Sequence, residues 1–515
     1  TCALPILFAL LDHFRYIIPA GSPMTGIGND HQIASLSNCF VIGIDGDADS
    51  YGAIMRLDEE QVQLMKRRGG VGHDLSQIRP KGTPVNNSAL TSTGLVPFME
   101  RFSNSTREVA QDGRRGALML SVSIKHPDAG AFIDAKMEEG KVTGANVSVR
   151  ISDEFMRAAA ENGYFTQQFP VDSDHPWVRK EISARKLWEK IVHNAWKSAE
   201  PGVLFWDTII RESIPDCYAD LGFRTTSTNP CGETPLCPYD SCRLLALNLY
   251  SYVLNPFTSE AHFDFDTFSR HAQMAQRIMD DIVDLELEKI DGIIAKIDSD
   301  PQAEDVKYAE RRLWEKIKKK TAMGRRTGVG ITAEGDMLAA LGLRYGTPEA
   351  TDFAVKVQRT LALNAYRASV TMAQERGAFA IYDAQRETGN PFIQRIKEAD
   401  GALYDDMVRF GRRNIACLTI APTGTTSLMT QTTSGIEPVF MPVYKRRRKV
   451  NPNDADVRVD YVDEVGDAFE EYIVYHQKFQ KWMTIEGIDP TLPYSQEELD
   501  ALVARSPYYK ATAND

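Results

Sequence analysis

Short apolar runs that fit buried β-strands recur along this chain, and stretches of helical periodicity separate them. A chain built this way must lay its strands side by side and pack helices over the resulting sheet. Residues 37–44 (SNCFVIGI) read as the first such strand, ending at Asp45-Gly46-Asp47. Ser50 can cap a following helix with an apolar stripe of Tyr51, Ile54, Met55, Val62 and Met65, stopped by Gly69-Gly70. A second amphipathic helix carries Leu95, Phe98, Phe102 and Val109 and ends in the loop Gln111-Asp112-Gly113-Arg114-Arg115-Gly116. Strands are expected at 117–124 and 145–151 and a helix over 181–199. Pro201, Pro215, Pro230, Pro235 and Pro238 then mark a loop-rich middle, the kind of segment that carries function inside a compact domain. Beyond it come a strand-like run at 244–254 and a helix with Phe268, Ala275, Ile278, Ile282 and Leu285 on one face. A charged helix at 304–320 and a buried strand at 414–420 follow. There is no internal repeat, and the class is α/β.

At 515 residues the chain allows two to four domain-sized units or one large barrel with additions. With 43% hydrophobic and 25% charged residues, it fits none of the disordered, collagen-like or coiled-coil classes. A net charge of -12 argues against nonspecific binding to a nucleic-acid polymer or an acidic membrane, while leaving room for a locally basic nucleotide pocket. Residues 3–11 are apolar, but Pro5 interrupts them and Asp12-His13 ends them, too short a run to span a bilayer and without a basic leader. Seven cysteines are too sparse for a disulfide scaffold; a reducing, cytoplasmic setting is expected, where a conspicuous cysteine tends to be catalytic or metal-binding.

The loop Asn229-Pro230-Cys231-Gly232-Glu233 spaces an amide, a thiol and a carboxylate two residues apart. In an extended segment alternation would put all three on one face: a hydrogen-bond donor, a sulfur and a general base. The ordinary reading is a loop with one buried cysteine. A metal site from Cys231, Cys237 and Cys242 ranks lower, because steps of six and five are not zinc-knuckle spacings. Residues 418–427 (LTIAPTGTTS) read as a strand, a Pro-Gly turn and a hydroxyl-rich helix start. An anion cradle of backbone N–H groups with Thr423, Thr425, Thr426 and Ser427, and a simple capped helix, both remain open. Gly328-Val329-Gly330 with Gly335 is not a dinucleotide turn, since a basic helix precedes it and the third glycine is misplaced. Lys445-Arg446-Arg447-Arg448-Lys449 reads as a solvated charge run.

Taken together, Cys39 in SLSNCFVIG, NPCGE around Cys231, SCRLLALNL around Cys242 and APTGTTS from Ala421 resemble, in that order, the catalytic subunit of ribonucleotide reductases. The likeness runs from about Ser22 through Pro442. It implies a ten-stranded α/β barrel of two antiparallel five-stranded halves, with NPCGE at the tip of a central finger loop. On that basis residues 1–150 hold the first half with the effector-binding helices and specificity loops. Residues 151–450 hold the rest of the barrel with the finger and phosphate-binding loops, and 451–515 a helical extension. The resemblance makes Cys231 the thiyl radical that takes the 3′ hydrogen of ribose, Glu233 the base for the 3′ hydroxyl, and Asn229 a sugar-orienting amide. Cys39 and Cys242 become the two-electron donors that end as a disulfide. Pro422, Thr423, Gly424, Thr425 and Thr426 would hold phosphates, and Ser22, Asn38 and Gly70 match further substrate-contacting positions.

The same resemblance implies a regulatory site for a deoxynucleotide effector, where helices at 50–67 and 93–111 pair across a homodimer. Asp47 or Asp49 and Ser50, with Arg79 and Lys81 of a first specificity loop at 78–82 and Arg114 and Arg115 of a second at 112–117, would contact it. NPCGE, with an eleven-residue step from Cys231 to Cys242 and an NL strand after it, is most similar to the adenosylcobalamin-dependent class. The partner-dependent class, which takes its radical from a metal-containing small subunit, is the alternative. A non-catalytic nucleotide-binding relative should have lost some of Cys39, Asn229, Cys231, Glu233 and Cys242, yet all five are present. A glycyl-radical enzyme is a remoter reading. Relatives continue past Asp515, so the last strands, the relay tyrosines and a cysteine-bearing tail re-reduced by a thioredoxin- or glutaredoxin-type protein are expected beyond this sequence. No N-terminal nucleotide-binding activity domain is visible in it.

Overall fold

The computed structural model describes residues 3–43, 49–109, 115–454 and 457–515. Five of its strands form a parallel sheet in the order Cys39–Val41, Gly70–Asp74, Leu118–Ser123, Asn146–Ile151 and Gly202–Phe205. Each of the first two is followed by an amphipathic helix, Tyr51–Met65 and Val96–Glu108, whose apolar face supplies Ile54, Leu57, Leu64, Met99 and Phe102 to the core behind the sheet. Ser50 caps the first of them, accepting the Ala53 N–H at 3.1 Å. The turn at Asp45-Gly46-Asp47 lies outside the described residues.

A second group of strands runs the other way. Ser241–Cys242 pairs antiparallel with Cys39–Val41, and one residue later Leu244–Asn248 pairs parallel with Gly328–Thr332. The 241–248 run therefore joins the two groups at the edge of the parallel sheet. Ile17–Pro19 lies antiparallel to Leu244–Asn248. The 35-residue helix Phe265–Ser299 and the helix Pro348–Arg376 pack over this second group through Phe268, Ala272, Met279, Val357 and Leu361. The α/β class holds. Among the described residues the strands close no barrel.

Four local expectations are corrected. Glu181 belongs to the strand Val178–Ser183, which pairs with Tyr164–Phe169, and the helix starts only at Ala184 under the Ser183 cap. The run at 244–254 leaves its strand at Asn248 for a 3₁₀ turn, Leu249–Tyr252, and resumes at Val253–Leu254. Residues 414–420 are extended beside Gly328–Thr332 but make a single bridge, Val329 to Leu418. The segment after 450 opens with strands. Val443–Val450 and Tyr461–Val462 flank Ala468–Tyr475 in an antiparallel sheet, and the helices Gln477–Ile485 and Gln496–Arg505 come after it.

Candidate active site

The conspicuous loop is the tip of a hairpin. Ser227–Thr228 pairs with Pro235–Leu236, and Asn229 closes the turn by donating its N–H to the Thr234 carbonyl at 3.2 Å. The hairpin is held from both strand groups. Ser227 Oγ meets Ser121 Oγ at 2.9 Å, Asn146 donates to the Pro230 carbonyl at 2.9 Å, and Thr234 Oγ1 meets Thr419 Oγ1 at 3.2 Å. Two strand glycines make the close approach possible. A Cβ on Gly72 would sit 1.8 Å from the Thr228 carbonyl oxygen, and one on Gly70 would sit 3.0 Å from Pro230 Cγ. Gly328 and Gly330 do the same across the second group, where a Cβ would fall 2.7 Å from Cys242 Sγ and 2.2 Å from the Thr419 carbonyl. That is why they are glycines in a strand that follows a helix.

Asn229 and Glu233 meet, though not by strand alternation. The chain turns at Gly232, which has φ +87°, and the Asn229 amide donates to Glu233 Oε2 at 2.6 Å. The same amide nitrogen lies 3.2 Å from Cys39 Sγ, and Asn229 Oδ1 accepts the Thr234 N–H at 2.9 Å. Asn229 is thereby fixed at every polar atom. Burial raises the Glu233 carboxyl above its ordinary range, opposed by the Asn229 hydrogen bond. Cys231 is exposed at the tip, yet it lines the same cavity of about 330 Å³ as Asn229, Glu233 and Cys39.

Cys39 and Cys242, 203 positions apart, sit directly opposite each other in the antiparallel pair. Opposed residues in such a pair have Cα atoms about 4.5–5.5 Å apart, within disulfide reach. Both are thiols here and both are buried. Burial raises Cys39, helped by the neighbouring Glu233 carboxylate. It also pushes Cys242 up to about 12, with Arg243 and Arg326 pulling the other way.

The Pro-Thr-Gly-Thr-Thr loop borders the same cavity. Pro422, Thr423, Gly424, Thr425 and Thr426 all line it, as do Asn38 and Gly70. Thr423 adopts φ +52°, its hydroxyl meeting Thr332 Oγ1 at 2.9 Å and accepting the Gly435 N–H at 2.7 Å. The helix that follows, Thr426–Thr430, is one short turn. Ser22 sits beside the cavity-lining Gly21. Ser22 Oγ and Asn38 Oδ1 are buried and find no hydrogen-bond partner among the described residues, so each has capacity to spare for a bound group.

No motif pointed to Asp336. Fully buried, it accepts the Thr433 N–H at 2.8 Å, His476 Nε2 at 2.7 Å and the Tyr508 hydroxyl at 2.8 Å. It thus ties the return of the Thr-rich loop to the C-terminal segment, in which the sequence offered no chemistry.

Residues 37–481 match the family model of the ribonucleotide reductase barrel domain. The chain belongs to that family. It is 33% identical over 421 residues to a vitamin B12-dependent ribonucleoside-diphosphate reductase of Thermoplasma acidophilum, covering 81% of this chain and 47% of that one. A protein of the same name from Mycobacterium tuberculosis is 30% identical over 443 residues, 85% of this chain and 55% of the relative. The ribonucleoside-diphosphate reductase large chain of Neurospora crassa is 25% identical over 452 residues, 80% and 45% respectively. The chain spans about half the length of the curated relatives it matches.

Within this ribonucleotide reductase barrel domain, two of the expected effector residues, Asp49 and Arg79, meet beyond the C-terminal ends of the first two parallel strands. Arg79 donates its N–H to Asp49 Oδ1 at 2.8 Å and its Nε to Asp49 Oδ2 at 2.6 Å, and the pair lines a cavity of about 560 Å³ with Ser76, Gln77, Phe169 and Trp177. Lys81 is not on that wall; its N–H donates to Asp128 at 2.9 Å. Ser50 is occupied as a helix cap, and Arg115 is exposed. Asp47 and Arg114 lie outside the described residues. The helices Tyr51–Met65 and Val96–Glu108 lock together through Gln61, which donates to the Phe102 carbonyl at 2.9 Å and to Thr106 Oγ1 at 3.0 Å. No described helix is long and apolar enough to cross a membrane.

Proposed function

We propose that this chain carries the catalytic centre of a ribonucleotide reductase that converts ribonucleoside diphosphates to 2′-deoxyribonucleotides by thiyl-radical chemistry. One observation carries the reading: Cys39, Asn229, Cys231, Glu233 and Pro422 to Thr426, from three separate stretches, line one cavity, and Cys242 from a fourth sits directly behind Cys39 as its cross-strand partner. A sugar held there with its phosphates against the Thr-rich loop meets a thiol tip, a carboxylate and a reducing pair.

Cys231 as thiyl takes the 3′ hydrogen and later returns it. Glu233, its affinity for protons raised by burial, takes the proton of the 3′ hydroxyl while Asn229 holds it in place. Cys39, protonated because burial and Glu233 disfavour its thiolate, gives the proton with which the 2′ hydroxyl leaves as water. Cys39 and Cys242 then supply two electrons and become a disulfide, the Cys242 proton going to the new C2′–H bond and Glu233 returning its proton to the 3′ oxygen.

Adenosylcobalamin supplies, when bound, the one-electron oxidation of the Cys231 thiol. The residues fit such a source. Cys231 is exposed at a hairpin tip that also lines the cavity, which leaves the residue accessible to an external radical source. The strands are best understood as part of a ten-stranded barrel with antiparallel halves, which keeps water from the radical. The Asp49–Arg79 wall takes a deoxynucleotide effector, and the neighbouring helices pair in a homodimer. A thioredoxin- or glutaredoxin-type protein re-reduces the thiols, in the cytoplasm.

The test is to assay the full-length protein with a ribonucleoside diphosphate, adenosylcobalamin and a dithiol. Deoxynucleotide should form. Product that appears only when a metal-loaded small subunit replaces the cofactor would overturn the radical source, and no product under either condition would overturn the activity.

A further inference from the structure

Cys39 and Cys242 face each other across one strand pair, but their surroundings differ. Cys39 lines the open cavity. Cys242 does not; its sulfur is packed against the Gly328 backbone so tightly that a Cβ there would be 2.7 Å away. Thiol–disulfide exchange needs the attacking sulfur to reach the disulfide in line with the bond it breaks, so only a sulfur with open space behind it can be struck.

Beneath Cys242 lies a buried charged cluster that the catalytic roles leave unused. Arg243 is fully buried and donates to Ser241 Oγ at 3.0 Å and Ser37 Oγ at 3.3 Å. Glu286, also fully buried, accepts from the Leu36 N–H at 2.6 Å and Ser37 Oγ at 2.9 Å. Arg326 donates to Asp240 at 2.7 Å. The cluster clamps the residues just before Cys39 to the strand that carries Cys242. It also leaves Arg243 Nε and Arg326 Nη2 buried without a hydrogen-bond partner among the described residues. Burial disfavours the thiolate at both sulfurs and Glu233 opposes it at both, but at Cys242 the two guanidiniums pull the other way, whereas at Cys39 the one opposing influence is the Asn229 hydrogen bond.

We propose that the reducing pair is polar: an incoming dithiol attacks Cys39 Sγ, and Cys242 Sγ is the leaving sulfur, its charge received by Arg243 and Arg326. This rests on the reading of the two cysteines as the reducing pair. One thiolate of the dithiol forms a bond to Cys39 Sγ as the Cys39–Cys242 bond breaks, and the electron pair leaves on Cys242, which takes up a proton. The second thiol of the dithiol, as thiolate, then attacks its own mixed-disulfide sulfur and releases Cys39, which is protonated in turn. The dithiol ends oxidised by two electrons and the pair ends as two thiols. Arg243 and Arg326 are positioning residues in this scheme.

The experiment uses the full-length protein. In the reduced Cys242→Ser variant, the aromatic disulfide dithiobis(nitrobenzoate), located by peptide mapping, should label Cys39 at least about tenfold faster than it labels Cys242 in Cys39→Ser. Equal or reversed rates would overturn the assignment. In a second arm diamide forms the Cys39–Cys242 disulfide and dithiothreitol reduces it. Arg243→Gln should slow that reduction about tenfold, and Arg243→Lys, which keeps the charge, should retain most of the rate. Equal rates in all three proteins, each assayed below its own unfolding transition, would remove the arginine from the scheme. If diamide does not link the two cysteines in the unaltered protein, the reading of the pair itself fails, whichever sulfur is the more reactive.

Discussion

Two sets of charged residues in this molecule are opposite in circumstance. Along the strand Val443–Val450, Lys445, Arg447, Arg448 and Lys449 reach across to Glu471, Glu470 and Asp467, with the basic side chains 50–66% exposed. Behind the paired thiols, Arg243, Glu286, Asp240 and Arg326 are at most 6% exposed. The first set trades water for carboxylates and gains little, since exposed pairs contribute about 0–1 kcal/mol. The second set has no water to fall back on, so every partner it has is structural, and removing one leaves a buried charge at a cost of about 3–5 kcal/mol. A basic run that is conspicuous in the sequence is thus energetically quiet, while the buried Arg243 and Arg326 lie far from it in sequence.

The comparison can be broken from the cavity side first. Cys231→Ser should abolish deoxynucleotide formation in the full-length protein while leaving thermal unfolding unchanged, because the sulfur is exposed and the hairpin is held elsewhere; turnover above background would remove Cys231 from the chemistry. Glu233→Gln should lower kcat by about 10²–10⁴-fold, the usual contribution of a positioned base. The unaltered protein should lose activity as the pH falls through a carboxyl held above its ordinary range, since the base works only when ionised. An acid limb that stays in place in Glu233→Gln would assign it to another group.

Asp240→Asn tests the buried set directly. It leaves Arg326 without its carboxylate and should cost about 3 kcal/mol in denaturant unfolding. Arg448→Ala tests the exposed set, and its unfolding free energy should move by less than about 0.5 kcal/mol. Equal effects at the two positions would mean that burial does not separate them.

Much of the fold was legible because it is local. The Ser50 cap, the stripe of the helix it starts and the apolar strands around Val41, Leu120 and Val149 are set within a few residues of each other. Where periodicity was ambiguous it misled: Val178–Ser183 is a strand because Tyr164–Phe169 lies beside it, and nothing within 181–199 announces that partner. The site was half legible. Its residue types stood out in NPCGE and APTGTTS, but Asn229 and Glu233 meet through a turn at Gly232 rather than on an extended face. Asp336 has no motif at all, and its role depends on His476 and Tyr508 arriving from 140 and 172 residues away.

The sequence by itself determined which chemical groups this protein can bring to a reaction and where its capped helices and most apolar strands lie, because those follow from side-chain type and short-range backbone preference. Only the tertiary structure decided that Cys39 and Cys242 are cross-strand partners, that glycines at 70, 72, 328 and 330 make room for distant segments of the same chain, and that one thiol of the pair lines the cavity while the other does not. Register and burial are non-local quantities. They are set by what packs across hundreds of residues, and they convert ordinary thiols, carboxyls and guanidiniums into a site by removing them from water.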